Sequence, residues 1–401
     1  MRPLAFAWRS VTRQPARAVL GIAGIAVVGA LLFDMLLLSR GLVVSFRDLL
    51  EGVGFDIRVT ADRFVPTRAS AIRNATEVLA RLRALPEIDD VVAVRFGEAE
   101  AVYSEGDHFL VNFMGVDGGA RKTWTVVEGA DLSAAGDPAV PLVLVNRAVA
   151  RRLGLSAGDS LRLRGSCDPR MSAMPAIDFR VSGIVDFQFE ARDEYTTVTT
   201  LGHWLRACRP TDRDAVTLFL AASVPGVGPD AAVRAIGGVL PGLNAFTNQQ
   251  FVDQLQATEF SYFRQISFAL STITLFFAFL LISTLLTVSV NQRLGEVAVL
   301  RALGFRRKWV IADLLWESAL LVGTGGLLAL PLGGLLALYL DGILRQMSGI
   351  PLNLHFFVFQ FRSAIVYVVL LVGTGLLAAS YPVYLAARLP IAATLRREVI
   401  S

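Results

Sequence analysis

The sequence predicts a membrane α-helical protein with four transmembrane helices and a large α+β extracytoplasmic domain. Three observations lead there. The chain is 54% hydrophobic and 18% charged with a mean hydropathy of +0.55, too apolar for an ordinary soluble protein. Four apolar segments, at 18–40, 266–290, 311–340 and 363–387, can each cross about 30 Å of hydrocarbon at about 1.5 Å per residue. Between the first two lies a long stretch, 41–260, with the helix and strand periodicities of a water-soluble domain.

Residues 1–17 contain Arg2, Arg9, Arg13 and Arg17 and no acidic residue, while Leu4, Ala7, Trp8 and Val11 recur at helical spacing. This pattern predicts a helix lying in the cytoplasmic interface. The apolar run that follows is long for a signal peptide and lacks a clear A-x-A site, so it is read as a retained first span. Asp34 within it costs on the order of a few kcal/mol in lipid. It serves either as a polar lining or inter-helix contact, or sits near the outer interface where water or a neighbouring helix satisfies it. The second reading is preferred.

In the polar region, Phe55–Thr60 alternates like a strand, Thr76–Leu85 reads as a helix and Val91–Phe96 as a strand. The order returns later: Ala215–Ala221 extended, Asp230–Leu240 helical, Asn244–Asn248 extended. Both helices end in Leu-Pro, at Leu85-Pro86 and Leu240-Pro241. Two βαβ-type halves are therefore expected, with a β-rich insert at about 97–210 between them. Strands are expected in the insert at Pro141–Val145, Ser160–Arg164, Phe179–Val185 and Tyr195–Thr200, with a short helix at Arg147–Leu153. Glu98, Glu100, Glu105 and Asp107 read as a solvated turn, and Trp124 and Trp204 as packing residues. Cys167 and Cys208 flank part of the insert. An extracytoplasmic location would permit a disulfide, and two free thiols are the alternative.

The second span, 266–290, carries no charge. The third, 311–340, holds Gly323, Gly325, Gly326, Gly333 and Gly334, small residues that let membrane helices approach closely, and is interrupted by Pro331. Residues 341–362 form a short loop, the fourth span follows at 363–387, and 388–401 is a tail. Basic residues number four before the first span, five in 291–310 and three in the tail, against Arg345 and Arg362 in the 341–362 loop. The positive-inside rule then places both termini and 291–310 in the cytoplasm, and 41–260 and 341–362 outside.

Several chemistries are not encoded. The only lysines, Lys122 and Lys308, follow no glycine-rich loop, and no GxxxxGK[ST], GxSxG or HExxH motif occurs. His108, His203 and His355 are scattered, without metal-ligand spacing, and no metal site is expected. The net charge of +4 gives no pointer to nucleic acid, and none is expected as a partner. Catalysis is not expected of this chain.

The 291–310 segment is a charged island between two apolar runs, with Arg293, Glu296, Arg301, Arg306, Arg307 and Lys308, and Gly304 placed as a helix C-cap. Val290–Leu321, VNQRLGEVAVLRALGFRRKWVIADLLWESALL, resembles the "ERxxEIGxLRAxG" loop and following glutamate-bearing helix of FtsX/MacB-type ABC transporter permeases, with Glu317 as that glutamate. Tyr381–Arg396 resembles the family's closing "PAxxAAxxxPxxALR", and Ala7–Val27 its first cytoplasmic helix and span. Gln292 and Gly295 depart from the family pattern, and Glu296 and Arg301 carry the match. The resemblance implies a stand-alone permease, of the kind that includes lipoprotein-releasing and glycolipid-exporting types. Its coupling helix would present Arg293, Glu296, Val297, Leu300, Arg301 and Gly304 to a separate ABC ATPase. The ATP and Mg would be bound by that partner, and this chain would have no cofactor.

The resemblance further implies a dimer with a second permease copy or a sister permease in the bacterial inner (plasma) membrane. The βαβ halves become a porter-like subdomain, and a periplasmic adaptor or acceptor becomes a candidate partner. The function implied is conformational work in the periplasm, with export or extraction of a lipid, lipoprotein or amphiphile. The alternative is ATP-driven regulation of a periplasmic hydrolase or a sensor kinase. A plain membrane-anchored binding domain is the third reading, disfavoured by the motif match at both ends. Asp34 and Glu317 are the candidate intramembrane polar groups.

Overall fold

The computed structural model describes residues 8–9, 12–13, 15–62, 70–103, 107–118, 120–132, 140–167, 175–257, 261–292 and 307–388. The chain divides into two compact units, Val44–Thr258 with Leu344–Leu354, and Met1–Val43 with Glu259–Ile343 and His355–Ser401.

The first of these units is β-rich. Strand β1 (Ile57–Thr60), β2 (Ile72–Arg73), helix α2 (Ala75–Arg83) and β3 (Ile88–Val102) open it, following the last turns of a long helix α1 (Pro15–Gly52). They are answered near the end by β10 (Ala215–Val216), β11 (Leu218–Ser223), α5 (Pro229–Val239) and β12 (Asn244–Thr247). The strands lie in the order β12-β1-β11-β3, every neighbouring pair antiparallel. This is a split βαβ arrangement, and it accounts for the repeated strand–helix–strand pattern in the sequence. The strands alternate as a two-faced sheet must. Ile57, Val59, Val91, Ala93, Phe219 and Ala221 meet Val78, Leu79 and Leu82 of α2 and Ala232 and Ile236 of α5. Val92, Val94, Leu218, Leu220 and Ala222 form a second core with Val53 and Phe55 on the opposite face. Gly228 precedes Pro229 at the first position of α5, and Asp230 sits in its first turn, a favourable start for a helix.

The insert is a closed ring of strands. It is built from β4 (His108–Gly118), β6 (Leu142–Asn146), β7 (Ser160–Gly165), β8 (Ile177–Phe187), β9 (Thr196–Thr200) and the far half of β3, with β5 (Trp124–Gly129) appended to β8. Pairing runs β3-β4-β9-β6-β8-β7 and returns to β3, so the ring has no free edge to aggregate. Phe113, Val143, Val145, Leu163, Phe179 and Val181 fill it, together with Val149 of α3 (Arg147–Leu153) and Trp204 of α4 (Leu201–Cys208). Full burial of side chains this size contributes roughly 1.5–3 kcal/mol each. Asn146 caps α3 by accepting from Val149 N, and Thr200 caps α4 by accepting from His203 N. Trp204 Nε1 donates to Phe113 O at 3.0 Å, and the Arg95 guanidinium lies 4.7 Å from the Trp204 ring. Glu98 and Glu100 stand on β3, with Glu100 3.4 Å from Arg164, which corrects their reading as a turn; Glu105 lies outside the described residues.

The other unit is helical. Among the described residues, four helices are long and apolar enough to cross a membrane: 18–52 of α1, 264–289 of α7 (Ser261–Gln292), 311–344 of α8 (Arg307–Leu344) and 361–380 of α9 (Phe361–Arg388). α1 continues to Gly52, past the expected end of the first span, and so belongs to both units. A seam of small residues on α8 receives α1. A side-chain carbon at Gly325 would sit 2.8 Å from Ile25, and one at Gly333 3.1 Å from Phe33 and 3.2 Å from Ala30 O. Gly325, Ala329 and Gly333 recur every fourth residue, the spacing that lets membrane helices pack backbone to backbone. Tyr367 of α9 completes the core, donating from its hydroxyl to Gly326 O at 3.1 Å and stacking edge-on against Phe33 at 5.5 Å.

Candidate functional site

The residues expected to dock a partner, Arg293, Glu296, Val297, Leu300, Arg301 and Gly304, lie outside the described residues. The helices that flank them are described, and they carry polar groups where the two spans approach that segment. Ser289, three residues before the end of α7, is buried and donates from Oγ to Glu317 Oε1 at 2.9 Å. Glu317 is 4% exposed and stands on α8 with Asp313 one turn earlier, also buried. Burying a carboxylate is costly unless it accepts hydrogen bonds, and the Ser289 hydroxyl supplies one that joins α7 to α8.

Asp34 is 1% exposed, and its Oδ1 lies 3.3 Å from where a side chain on Gly333 would begin. Neither oxygen has a hydrogen-bond partner among the described residues. Asp34 packs against α8, a neighbouring helix of the kind expected to cover it. Asp341 near the end of α8 is also buried, and its partners are clear. It accepts from Phe356 N at 2.7 Å and faces His355 Nδ1 at 2.9 Å.

Cys167 and Cys208 are joined in a disulfide with Cα atoms 5.4 Å apart, linking the segment after β7 to the last residue of α4. The bond lies against the barrel core beside Trp204 and Ala207.

Sequence reasoning missed a polar node in the β-rich unit where the chain enters and leaves it. Arg58 on β1 is 6% exposed. Its Nη1 donates to Asn248 Oδ1, and its guanidinium lies 5.3 Å from the Phe251 ring. Asn248 begins α6 (Asn248–Ala257), the helix that leads toward α7. Its Nδ2 donates to Phe55 O at 3.0 Å and Leu50 O at 3.3 Å. One amide thus holds the last turn of α1, the start of β1 and the first turn of α6. Burial lowers the Arg58 pKa to about 10, so the side chain stays charged at neutral pH. Phe46 of α1 adds ring contacts to Phe251 at 6.2 Å and Phe189 at 5.7 Å. An arginine inside an alternating strand at position 58 is the one sequence signal that could have exposed this node.

Comparison with known proteins returns two family models. A MacB-like periplasmic core domain matches residues 18–239, more than half of the chain, and an FtsX-like permease C-terminal domain matches residues 268–391. Among solved structures, the periplasmic region of MacB from Actinobacillus actinomycetemcomitans aligns at 12% identity and a TM-score of 0.40, covering 52% of this chain and 96% of that one. The extracellular domain of the noncanonic ABC-type transporter YknZ from Gram-positive bacteria aligns at 11% identity and 0.33, covering 48% and 98%. A domain of a putative permease protein from Porphyromonas gingivalis aligns at 14% identity and 0.32, covering 48% and 88%. No curated protein matches the chain.

Proposed function

Because the chain belongs to the FtsX/MacB-type ABC permease family, a membrane protein with an extracytoplasmic domain, we propose that it is the membrane subunit that converts ATP hydrolysis by a separate ABC ATPase into movement of that domain. The reading rests chiefly on the two family models that together match most of the chain, and the Ser289–Glu317 hydrogen bond, which joins α7 to α8, is consistent with the two helices moving as one. ATP and Mg belong to the partner, since this chain has no glycine-rich lysine loop. The inner membrane is the proposed location, and a second permease, identical or sister, the proposed assembly partner. The exposed Phe268, Ile273, Phe276 and Phe277 of α7 suit either lipid or that second copy. The work proposed is export or extraction of a lipid, lipoprotein or amphiphile, with a periplasmic adaptor or acceptor receiving it.

The test is coupling. The full chain, purified in nanodiscs with the ATPase it captures from its own host, is compared with Glu296→Lys and Glu317→Ala variants. Both variants should lower permease-dependent ATPase stimulation by about tenfold, the loss expected from about 1.4 kcal/mol of coupling. The melting of the β-rich unit should not change. Full stimulation with Glu296→Lys removes 293–306 as the docking element.

A further inference from the structure

The Leu344–Leu354 segment links α8 to the approach to α9, and its composition gives it no role beyond that of a connector. In the structure it belongs to the β-rich unit, bound to the Phe187–Tyr195 turn after β8. Leu352 N donates to Glu190 O at 2.9 Å. Ala191 and Pro351 form an antiparallel β-bridge. Gly349 N reaches Asp193 Oδ1 at 3.4 Å, and the Ser348 side chain bonds the same carboxylate, so Asp193 titrates below the usual carboxylate range. Gly349 has φ +80°, a conformation that a side chain would strain, and it aims its amide at Asp193. The segment also closes on itself, with Arg345 Nε donating to Leu352 O at 3.1 Å and Leu354 N to Pro351 O at 3.0 Å.

The turn it grips is firmly braced on its other side. The buried Asn146 at the end of β6 donates from Nδ2 to the Glu190 carboxylate and to Glu194 O, the latter at 2.6 Å. Glu194 in turn accepts from Asn112 Nδ2 on β4 and from Ala191 N at 3.1 Å. Phe189 lies 5.7 Å from Phe46 on the continuation of α1. The 187–195 turn is thus fastened to two barrel strands and to the helix that continues the first span. A connector serving only to close a loop would leave its backbone to water.

We propose that Leu344–Leu354 is a strap that transmits movement of the third and fourth spans to the barrel through the 187–195 turn, alongside the helix that continues the first span. The assignment of such movement to an ATPase cycle rests on the reading in the preceding subsection; the strap itself does not. At its base the segment is closed by Asp341 in the last turns of α8, which accepts from Phe356 N just beyond the strap.

Three measurements on the full chain in nanodiscs test the proposal. First, an Ala191→Cys/Pro351→Cys pair, oxidised and read by mass spectrometry of linked peptides, should cross-link at least about fivefold above background in the single-cysteine variants, since bridged residues meet the distance a disulfide requires. Second, Asp193→Ala with Leu352→Pro removes the carboxylate and the amide donor. Hydrogen exchange of 187–195 should then accelerate at least about fivefold, as local opening becomes easier. Third, the same double variant should lower coupled ATPase stimulation at least about threefold if the strap carries force. Background cross-linking, or unchanged exchange in 187–195, overturns the strap. Unchanged coupling, with the first two results as expected, overturns its role in transmission. If no ATPase is stimulated even by the unaltered chain, the preceding reading fails and the first two measurements still decide whether the strap exists.

Discussion

Replacing Asn248 with alanine is the sharpest test of the node that joins the entry and exit of the β-rich unit. The substitution removes the acceptor of Arg58 Nη1 and the donor to Phe55 O and Leu50 O. Arg58 is left charged and 6% exposed, with the Phe251 ring as its remaining neighbour in the node. A hydrogen bond to a charged group contributes about 1.5–3 kcal/mol, and each of the two lost bonds to backbone carbonyls about 0.5–1.5 kcal/mol. We take about 4 kcal/mol for Asn248→Ala. For a unit of this size each kcal/mol lowers Tm by about 2–4 °C, so a drop on the order of 10 °C is expected. The full-length protein is melted in detergent, following the buried Trp124 and Trp204 by fluorescence, with Arg58→Met and the double variant in parallel. Arg58→Met removes the charge that makes the alanine costly, so the double variant should be less destabilised than the two singles added together, by about 2 kcal/mol. A Tm change under about 2 °C for Asn248→Ala, or additive single losses, would refute the reasoning.

Three further outcomes are expected. Glu190 is pushed up to about 7, first by burial, with Glu194 and Asp186 adding repulsion and the bonds from Phe187 and Asn146 opposing it; Asp186 is itself clamped by Arg147 at 2.6 and 2.7 Å. A raised carboxyl pKa favours the neutral form in the fold, so this contribution is complete below the ordinary value of 4.5 and is lost as pH rises toward 7. Glu190→Gln should flatten that slope and stabilise the unit at pH 8 by on the order of 1–2 kcal/mol after discounting for partial exposure, measured by urea melts across pH; an unchanged slope contradicts it. Opening the Cys167–Cys208 bridge by a double serine substitution should cost about 4 kcal/mol by loop entropy for its separation of 41 residues, read as lost thermal stability under non-reducing conditions. Gly333→Leu should force α8 away from Phe33 and Ala30 and reduce the yield of folded protein, whereas Gly334→Leu, with nothing within 4 Å of its added carbon, should be tolerated. Equal yields for the two leucine variants would remove the close α1–α8 seam.

The parts legible from sequence were those with a local period. The apolar runs announced the four helices because a lipid-facing helix must be apolar over its whole length. The two strand–helix–strand halves were legible because each strand alternates and each helix has one buried face. The barrel was only half legible. β4 and β5 escaped notice because His108–Gly118 mixes polar residues into its pattern and Trp124–Gly129 buries one side chain at its start. Ring closure depends on β7 pairing with both β3 and β8, partners distant in sequence, and no local pattern encodes such a choice.

The same distinction governs the site. Glu317 is singled out by the family resemblance, as the glutamate of the helix after the loop motif, and the structure supplies a partner for it in Ser289. Arg58 gives a signal only as a charge in an alternating strand, while Asn248 and the Leu344–Leu354 contacts give none, because their meaning lies in long-range bonds. Those bonds converge on one physical arrangement. The continuation of α1 reaches the node through Leu50 O and Phe46, α6 through Asn248 and Phe251, and the 344–354 segment through Glu190 and Asp193 on the turn that carries Phe189. All the chain connections of the β-rich unit therefore terminate on a common set of side chains. Relative movement of any one of them strains bonds to the others, which is the mechanical property that the proposed transmitting role requires.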